Sequence, residues 1–327
     1  MQIIVIDARN MCYKFGYVGK DLTSSTGERT GAIHGVLMGM SALKRHYPDA
    51  KFVVVWDGMD TNHTWRVGVF PEYKAARREP PSPEQAQLRA SVLKQIVLIQ
   101  QMLQAVGVVQ IEVPRLEADD VIGILSEKLT ARGWPVTVYS SDQDYLQLIP
   151  FGVMVITSAS AMPVSAQAVQ YKWKCQPEDL LKLRALLGDT SDGIPRAVSG
   201  VGPVAAAKYI ALGVDPSVPN FDGLPRTVRE QAERLRPSWP KIHQNWRLMK
   251  ILRSCHDPDF PKELAGPVTV ETRRVLRELA GPVDRDTALY ERMLSQMAAL
   301  DLHQAIANRR EIWNLQTTSL EKEGRVV

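Results

Sequence analysis

The sequence predicts an α/β protein with a mainly parallel central sheet and helices on both faces. Short β-branched runs recur along the chain, namely Ile3-Ile4-Val5-Ile6, Phe52-Val53-Val54-Val55, Val136-Thr137-Val138 and Val153-Met154-Val155. They are continuous in apolar character, as strands covered on both faces are, and segments of helical period separate them. Several of these runs also end in carboxylates at the same end. Ligand crevices in open parallel sheets lie at the carboxyl ends of the strands.

Taken in order, Gln2 to Ile6 reads as a buried strand ending at Asp7, and a mixed loop with Arg9, Tyr13 and Lys14 follows. Thr30 to Tyr47 reads as a helix from its apolar positions Ile33, Val36, Leu37, Met40 and Leu43. Lys51 to Trp56 is a second strand, and it ends at Asp57-Gly58. Met59 to Pro83 reads as irregular, basic and aromatic, with Trp65, Arg66, Phe70, Tyr73, Lys74, Arg77 and Arg78 before the Pro80-Pro81-Ser82-Pro83 stop. A long helix spans roughly Glu84 to Val106. A β-branched run from Val106 to Val113 leads to Glu117-Ala118-Asp119-Asp120 and an apolar helix from Val121 to Leu129. Pro135 to Ser140 is a strand ending at Asp142-Gln143-Asp144, and Gly152 to Ile156 is a further strand without an acid at its end.

The chain has 327 residues, 45% hydrophobic and 23% charged, which is ordinary for a globular protein with a sizeable core. A net charge of +4 and a pI near 8.9 point only mildly to a polyanionic partner. Cys12, Cys175 and Cys255 have neither disulfide nor zinc spacing, so a reducing, cytoplasmic compartment is expected. The start of the chain shows no signal peptide, and no apolar run approaches the ~20 residues of a membrane span.

Glu117, Asp119 and Asp120 stand where a strand hands over to a helix, and Glu117 and Asp120 share one side of its first turn. An acidic first turn answering the helix dipole explains one carboxylate. Three repel each other, and with Asp7, Asp57, Asp142 and Asp144 expected at the same sheet edge the repulsion grows. Hard oxygen ligands in that number suit Mg²⁺ or Mn²⁺. Further on, Pro177 to Leu187 reads as helical, then come Gly188-Asp189-Thr190-Ser191-Asp192 and Gly200-Val201-Gly202-Pro203 before a small-residue helix, Val204 to Ala211. Two glycines before such a helix match a helix-hairpin-helix turn, which offers backbone N–H groups to a phosphate.

With these residues in place, the chain resembles the structure-specific 5′-nucleases: phage 5′-exonucleases, the 5′-nuclease domain of bacterial DNA polymerase I, and flap endonucleases. The matching stretches run from Ile4-Val5-Ile6-Asp7 through Trp56-Asp57-Gly58, Tyr73-Lys74-Ala75-Ala76-Arg77, Glu117-Ala118-Asp119-Asp120 and Ser141-Asp142-Gln143-Asp144. Gly188-Asp189-Thr190-Ser191-Asp192 with Ile194-Pro195, and then Gly200-Val201-Gly202, complete them. The match covers about Met1 to Ile210. It implies a PIN-like fold with a helical arch at about 66–98 and a helix-hairpin-helix-type subdomain. The implied domains are a nuclease core at 1–175, a helical DNA-binding block at 176–255 and a C-terminal helical extension at 256–327.

The resemblance also implies roles. Asp7, Asp57, Glu117, Asp119, Asp120, Asp142, Asp144, Asp189 and Asp192 fall on the family's metal-binding acids, implying a site for two Mg²⁺ or Mn²⁺ ions. Lys74 and Arg77 fall on its active-site cations, and Tyr73 on an aromatic near the 5′ nucleotide. Lys14, Arg66, Arg78, Gly200, Gly202 and Lys208 are the further expected DNA contacts, and the turn at Gly200 to Gly202 is where the family holds K⁺. Lys14 stands where the family usually has Arg. Arg196-Ala197-Val198-Ser199 is one residue longer than the usual link, and Val204-Ala205 replaces a Lys-Thr pair, so Lys208 is left to supply that charge.

Two divalent ions about 4 Å apart stabilise both the attacking and leaving oxygens of a phosphodiester and lower the pKa of a bound water. Lys74 and Arg77 then answer the extra phosphate charge. The expected partner is DNA with a 5′ flap, overhang or nick, bound by a monomer with no membrane contact. An RNA–DNA hybrid is an alternative substrate, and a catalytically silent junction-binding protein is the non-enzymatic alternative. A phosphatase-like hydrolase wants a second Asp two residues after Asp7, where Arg9 stands. In the C-terminal third, Ser238 to Leu252, Val275 to Ala280 and Asp286 to Trp313 read as helical. No polymerase domain fits in the remaining length, so a free-standing nuclease of phage or bacterial type is expected.

Overall fold

The structure, a computed structural model, describes residues 1–60, 64–281, 292 and 295. Strand β1 (Ile3–Asp7) is buried along its whole length, and helix α1 (Ala8–Val18) follows it directly. The chain continues through α2 (Gly31–His46), β2 (Lys51–Trp56), α3 (Trp65–Val69), α4 (Pro83–Ala105), β3 (Val109–Glu112), α5 (Ala118–Thr130), β4 (Val136–Tyr139) and β5 (Val153–Ile156). Beyond the strands come α6 (Ala166–Trp173), α7 (Leu180–Leu187), α8 (Pro203–Ala211), α9 (Arg226–Ala232), α10 (Trp239–Met249) and α11 (Ala265–Ala280). The helical reading of Asp286 to Trp313 lies outside the described residues.

The strands form one sheet in the order β3-β2-β1-β4-β5. β1 pairs in parallel with both β2 and β4, and β4 with β5, which bears out the parallel α/β expectation. Strand order reverses at β1, so the chain leaves β1 and β4 on either side of a switch point, the place where such sheets hold ligands. Asp7 closes β1, Asp57 follows β2 and Asp142 follows β4. Helix α5 packs across β1, β2 and β4. Its apolar face, with Val121, Ile122, Leu125 and Leu129 at or near zero exposure, is the stripe the sequence predicts.

The chain separates into two compact units. One comprises Met1–Ala8, Ala50–Pro80 and Gln110–Val283; the described part of the other is Arg9–Asp49 and Pro81–Val109, with residues 292 and 295. The second unit is helical. Its α4 starts with a capping box, the Ser82 hydroxyl accepting from Gln85 N–H and the Gln85 side chain accepting from Ser82 N–H, with Pro83 at the first helical position. There α2 packs on α4, and the buried Gln95 side chain accepts from Ile33 N–H at 3.1 Å.

Two expectations are corrected. The segment after Asp7 is helical rather than a mixed loop, so Lys14 sits on α1. Glycines open the packing for that helix, since a Cβ on Gly35 would lie 2.2 Å from the Phe15 ring. The segment from Met59 to Pro83 is not irregular throughout, because it contains α3 and a 3₁₀ turn at Ala75–Arg77. The three cysteines are free thiols, and no described helix is long and apolar enough to cross a membrane.

Candidate active site

All nine predicted acids, with Lys74 and Arg77, belong to the sheet-containing unit. Asp7 is nearly buried, and its Oδ2 accepts from the Ser140 and Tyr145 hydroxyls, both at 3.1 Å. Asp57 Oδ1 accepts from Ala118 N–H at 2.9 Å, so the acid after β2 holds the first turn of α5. That junction is tight. Gly58 N–H donates to Leu116 O, and a Cβ on Gly58 would lie 1.9 Å from Val113 O.

Arg66, at the start of α3, organises the Glu117–Asp120 turn from within. Its Nη1 donates to Glu117 Oε2 at 2.7 Å and to Asp120 Oδ2 at 2.9 Å. Nη2 donates to Asp120 Oδ1 and the Lys250 carbonyl, and Nε to the Leu248 carbonyl. These bonds match the five N–H donors of a guanidinium. Arg66 is 1% exposed, so it is no DNA contact and that expectation is corrected. Asp120 is fully buried, and its oxygens also accept from Trp65 Nε1 at 2.8 Å and from Leu252 N–H at 2.9 Å, so here it braces the turn from inside. Tyr73 is corrected too. Its ring packs with Ile194, Leu248 and Met249, and its hydroxyl donates towards Glu117 and Asp192, so no face remains on which a base can stack.

Lys74 adopts the left-handed conformation, φ 54°, with its N–H bonded to the Asp192 carbonyl at 2.8 Å. A non-glycine residue pays for that geometry with about 1–3 kcal/mol, and such strain clusters at functional positions. It aims Nζ at Glu117 Oε1, 2.5 Å away, and at Asp192, 3.6 Å away. Arg77 Nη2 meets the other Asp192 oxygen at 2.5 Å. Burial opposes ionisation of Glu117, but Lys74 and Arg66 outweigh it and hold the carboxyl at about 2. Asp119 lies on the other side of that balance: burial and the neighbouring Asp120 and Glu117 charges raise its pKa well above the ordinary range, against the pull of Arg66.

The second group of acids comes from two loops. Asp142 Oδ1 accepts from Asp144 N–H at 2.9 Å, which opens the 3₁₀ segment Gln143–Phe151. Gly188 has φ +72°, and a Cβ there would lie 2.6 Å from Ile194 O; the turn it permits carries Asp189 and Asp192. Asp189 Oδ1 accepts from Ser191, and its Oδ2 from Arg184 Nη2 at 2.5 Å. Arg184 Nη1 also bonds Asp144. Asn245 on α10 donates to the Ala185 and Pro195 carbonyls and so holds the loop from both ends. Sequence reasoning missed Arg184 and Asn245, because a polar residue among others on a helix, Lys182 beside Arg184 and Gln244 and Arg247 beside Asn245, carries no mark of what it reaches.

Burial raises the pKa of the Tyr145 hydroxyl well above its ordinary value, and the charges of Asp7, Asp119, Asp142 and Asp57 raise it further; burial likewise raises Asp142, with Asp189 adding to the rise against the pull of Arg184. The donor set around the crevice is hard carboxylate oxygen, the chemistry a divalent ion such as Mg²⁺ takes. Among the described residues, however, no three acids, thiols or imidazoles have the spacing of ligands to one ion. The carboxylates are drawn instead onto Arg66, Lys74, Arg77 and Arg184.

The remaining predicted positions lie elsewhere. Arg78 is exposed and donates to the Tyr73 and Pro71 carbonyls. Gly200 takes φ +73°, Gly202 caps α8, and Lys208 is exposed in the last turn of that helix. Lys14, on α1, is half-buried.

A family model described as the 5′-3′ exonuclease, N-terminal resolvase-like domain, matches residues 2–174. A 5′-3′ exonuclease of Aquifex aeolicus is 33% identical over 209 residues, which is 64% of this chain and 68% of that protein. DNA polymerase I of Pseudomonas aeruginosa is 30% identical over 245 residues, 71% of this chain, and the chain spans only 26% of the polymerase. Among solved structures, the bacteriophage T5 5′-exonuclease with bound zinc superposes with a TM-score of 0.67 at 17% identity, covering 85% of this chain and 99% of that one. Flap endonuclease-1 from Methanococcus jannaschii gives 0.51 at 18% identity, covering 91% and 93%. At those identities the likeness is one of fold. The sequence match, the parallel sheet and the ordered acids agree, and the chain belongs to the 5′-3′ exonuclease family of nucleases.

Proposed function

We propose that this chain is a structure-specific 5′-nuclease that hydrolyses DNA phosphodiester bonds near free 5′ ends and flaps with the help of two divalent ions, Mg²⁺ or Mn²⁺. The observation that carries the reading is the gathering of acids from separate strands and loops opposite Lys74 and Arg77. The T5 5′-exonuclease structure holds divalent zinc ions, and a T5 flap endonuclease structure holds DNA and metal ions. Asp7, Asp57, Glu117, Asp119, Asp142, Asp144, Asp189 and Asp192 are the carboxylates that would hold the ions. Bound there, the ions supply charge stabilisation and an activated water.

The chain's own residues do the rest. Lys74 and Arg77 exchange their carboxylate partners for phosphate oxygens, Arg77 as a fork and Lys74 as a point charge. Ser140 and Tyr145 orient Asp7. Arg66 and Asp120 fix the backbone that presents Glu117 and Asp119. The block at 176–255, through Gly200, Gly202, Lys208 and a K⁺ ion at the turn, is the proposed duplex anchor, with Lys14 and Arg78 as further phosphate contacts.

The test is a product ladder from a 5′-labelled flap substrate in Mg²⁺, run beside a blunt duplex and an RNA-primed duplex. Asp119→Asn and Asp142→Asn are expected to abolish cleavage while binding in Ca²⁺ survives. Turnover like the wild type's in either variant would remove the metal-site reading.

A further inference from the structure

We propose that Arg184 is the resident counter-ion of the Asp144–Asp189 pair, holding the two carboxylates together without a metal ion and opposing the ion they take up. The proposal rests on the divalent-ion reading above. The two acids come from different segments, Asp144 from the turn after β4 and Asp189 from the loop after α7. Local hydrogen bonds do not join them. Asp144 N–H donates to Asp142, and the Asp189 backbone pairs with Ile194 in both directions. The Arg184 guanidinium spans them, one terminal nitrogen on each carboxylate.

It does so from a fixed position. The Arg184 side chain is 8% exposed, and its guanidinium carbon lies 5.8 Å from the centre of the Trp173 ring. Beside Trp173, Lys172 Nζ donates to Gln143, the residue between Asp142 and Asp144. Leu183 and Leu186 on the same helix are fully buried, so the seating of α7 does not depend on the arginine.

Two carboxylates brought together with no cation between them disfavour ionisation of both. With Arg184 between them the pair carries a net charge of one rather than two. A divalent ion entering the pair therefore meets a positive charge already in place, and its affinity is set below that of the bare acids. A purely structural ion pair would stabilise the protein equally with and without metal.

The test is Mn²⁺ binding to the full chain, followed by the electron paramagnetic resonance of free Mn²⁺ and by calorimetry, with thermal melts in EDTA and in saturating Mn²⁺. Arg184→Met is expected to bind Mn²⁺ about tenfold more tightly, the size of an ordinary coupling between sites. Its melting point in EDTA is expected to fall, and its rise on adding Mn²⁺ to exceed that of the wild type. Arg184→Lys keeps the charge but reaches one carboxylate at a time, so it should lie between the two. Unchanged or weaker Mn²⁺ binding in Arg184→Met, or an equal loss of melting point in EDTA and Mn²⁺, overturns the proposal. If Arg184→Met does not fold, Arg184→Lys decides: affinity at or below the wild type's overturns the proposal. A wild-type chain that binds no Mn²⁺ would instead sink the nuclease reading itself.

Discussion

Replacing Arg66 tests whether the Glu117–Asp120 turn is held from inside. Arg66→Ala removes five hydrogen bonds and leaves Asp120, at zero exposure, without a counter-charge. Removing one partner of a buried ion pair costs about 3–5 kcal/mol. The Leu248 and Lys250 carbonyls lose their donors as well, at about 1 kcal/mol each where burial keeps water out. These terms overlap, so the expected loss is about 4–6 kcal/mol, a large part of the ~5–15 kcal/mol that holds a typical protein folded. Arg66→Lys keeps the charge but loses the fork, and a loss of about 2–3 kcal/mol is expected. Urea denaturation followed by circular dichroism reads both, through the midpoint at unchanged slope. A loss below about 1 kcal/mol in Arg66→Ala, coupled with a shallower salt dependence of DNA binding, would restore Arg66 as a surface phosphate contact and refute the assignment.

Further outcomes follow from the same geometry. Lys74→Ala and Arg77→Ala are expected to slow single-turnover cleavage of a flap substrate by about 100-fold or more while weakening its binding far less; equal losses would make both residues positioning groups. The Glu117 carboxyl, held at about 2 against an ordinary 4.5, binds a proton less readily in the folded protein than in the unfolded chain. Its contribution to stability is therefore complete above about 4.5 and fades as pH falls towards about 2, and Glu117→Gln should flatten the metal-free stability profile across that window. Gly58→Ala should cost several kcal/mol in urea melts or prevent folding, because the added Cβ meets the Val113 carbonyl; a stable variant would mean that the β2–α5 junction is loose.

Much of the fold and of the candidate site was legible in the residues. Ile3–Asp7, Lys51–Trp56, Val136–Tyr139 and Val153–Ile156 announce themselves because a strand covered on both faces must be apolar along its length. The acids at their ends could be read as a group because a parallel sheet sends every carboxyl end to one edge. Helix α1 escaped that logic. Tyr13, Phe15, Gly16 and Tyr17 are poor helix formers, and the close approach of Gly35 to Phe15 supplies what propensity lacks. Arg66 and Tyr73 were visible as residues but not in their roles. A basic-aromatic run before a proline stop looks the same whether it faces DNA or turns inward.

By itself, then, the chain determined its strands, their common direction and the set of acids at their ends, since these depend on local apolar pattern and chain order. Tertiary structure alone decided which charges are buried and which face the crevice. Arg66 reaches Leu248 across 182 positions and Glu117 across 51, and Asp144 and Asp189 meet on Arg184, 40 and 5 positions away. The physical reason is that the balance of desolvation against Coulomb attraction depends on distances in space, and no local pattern encodes those distances.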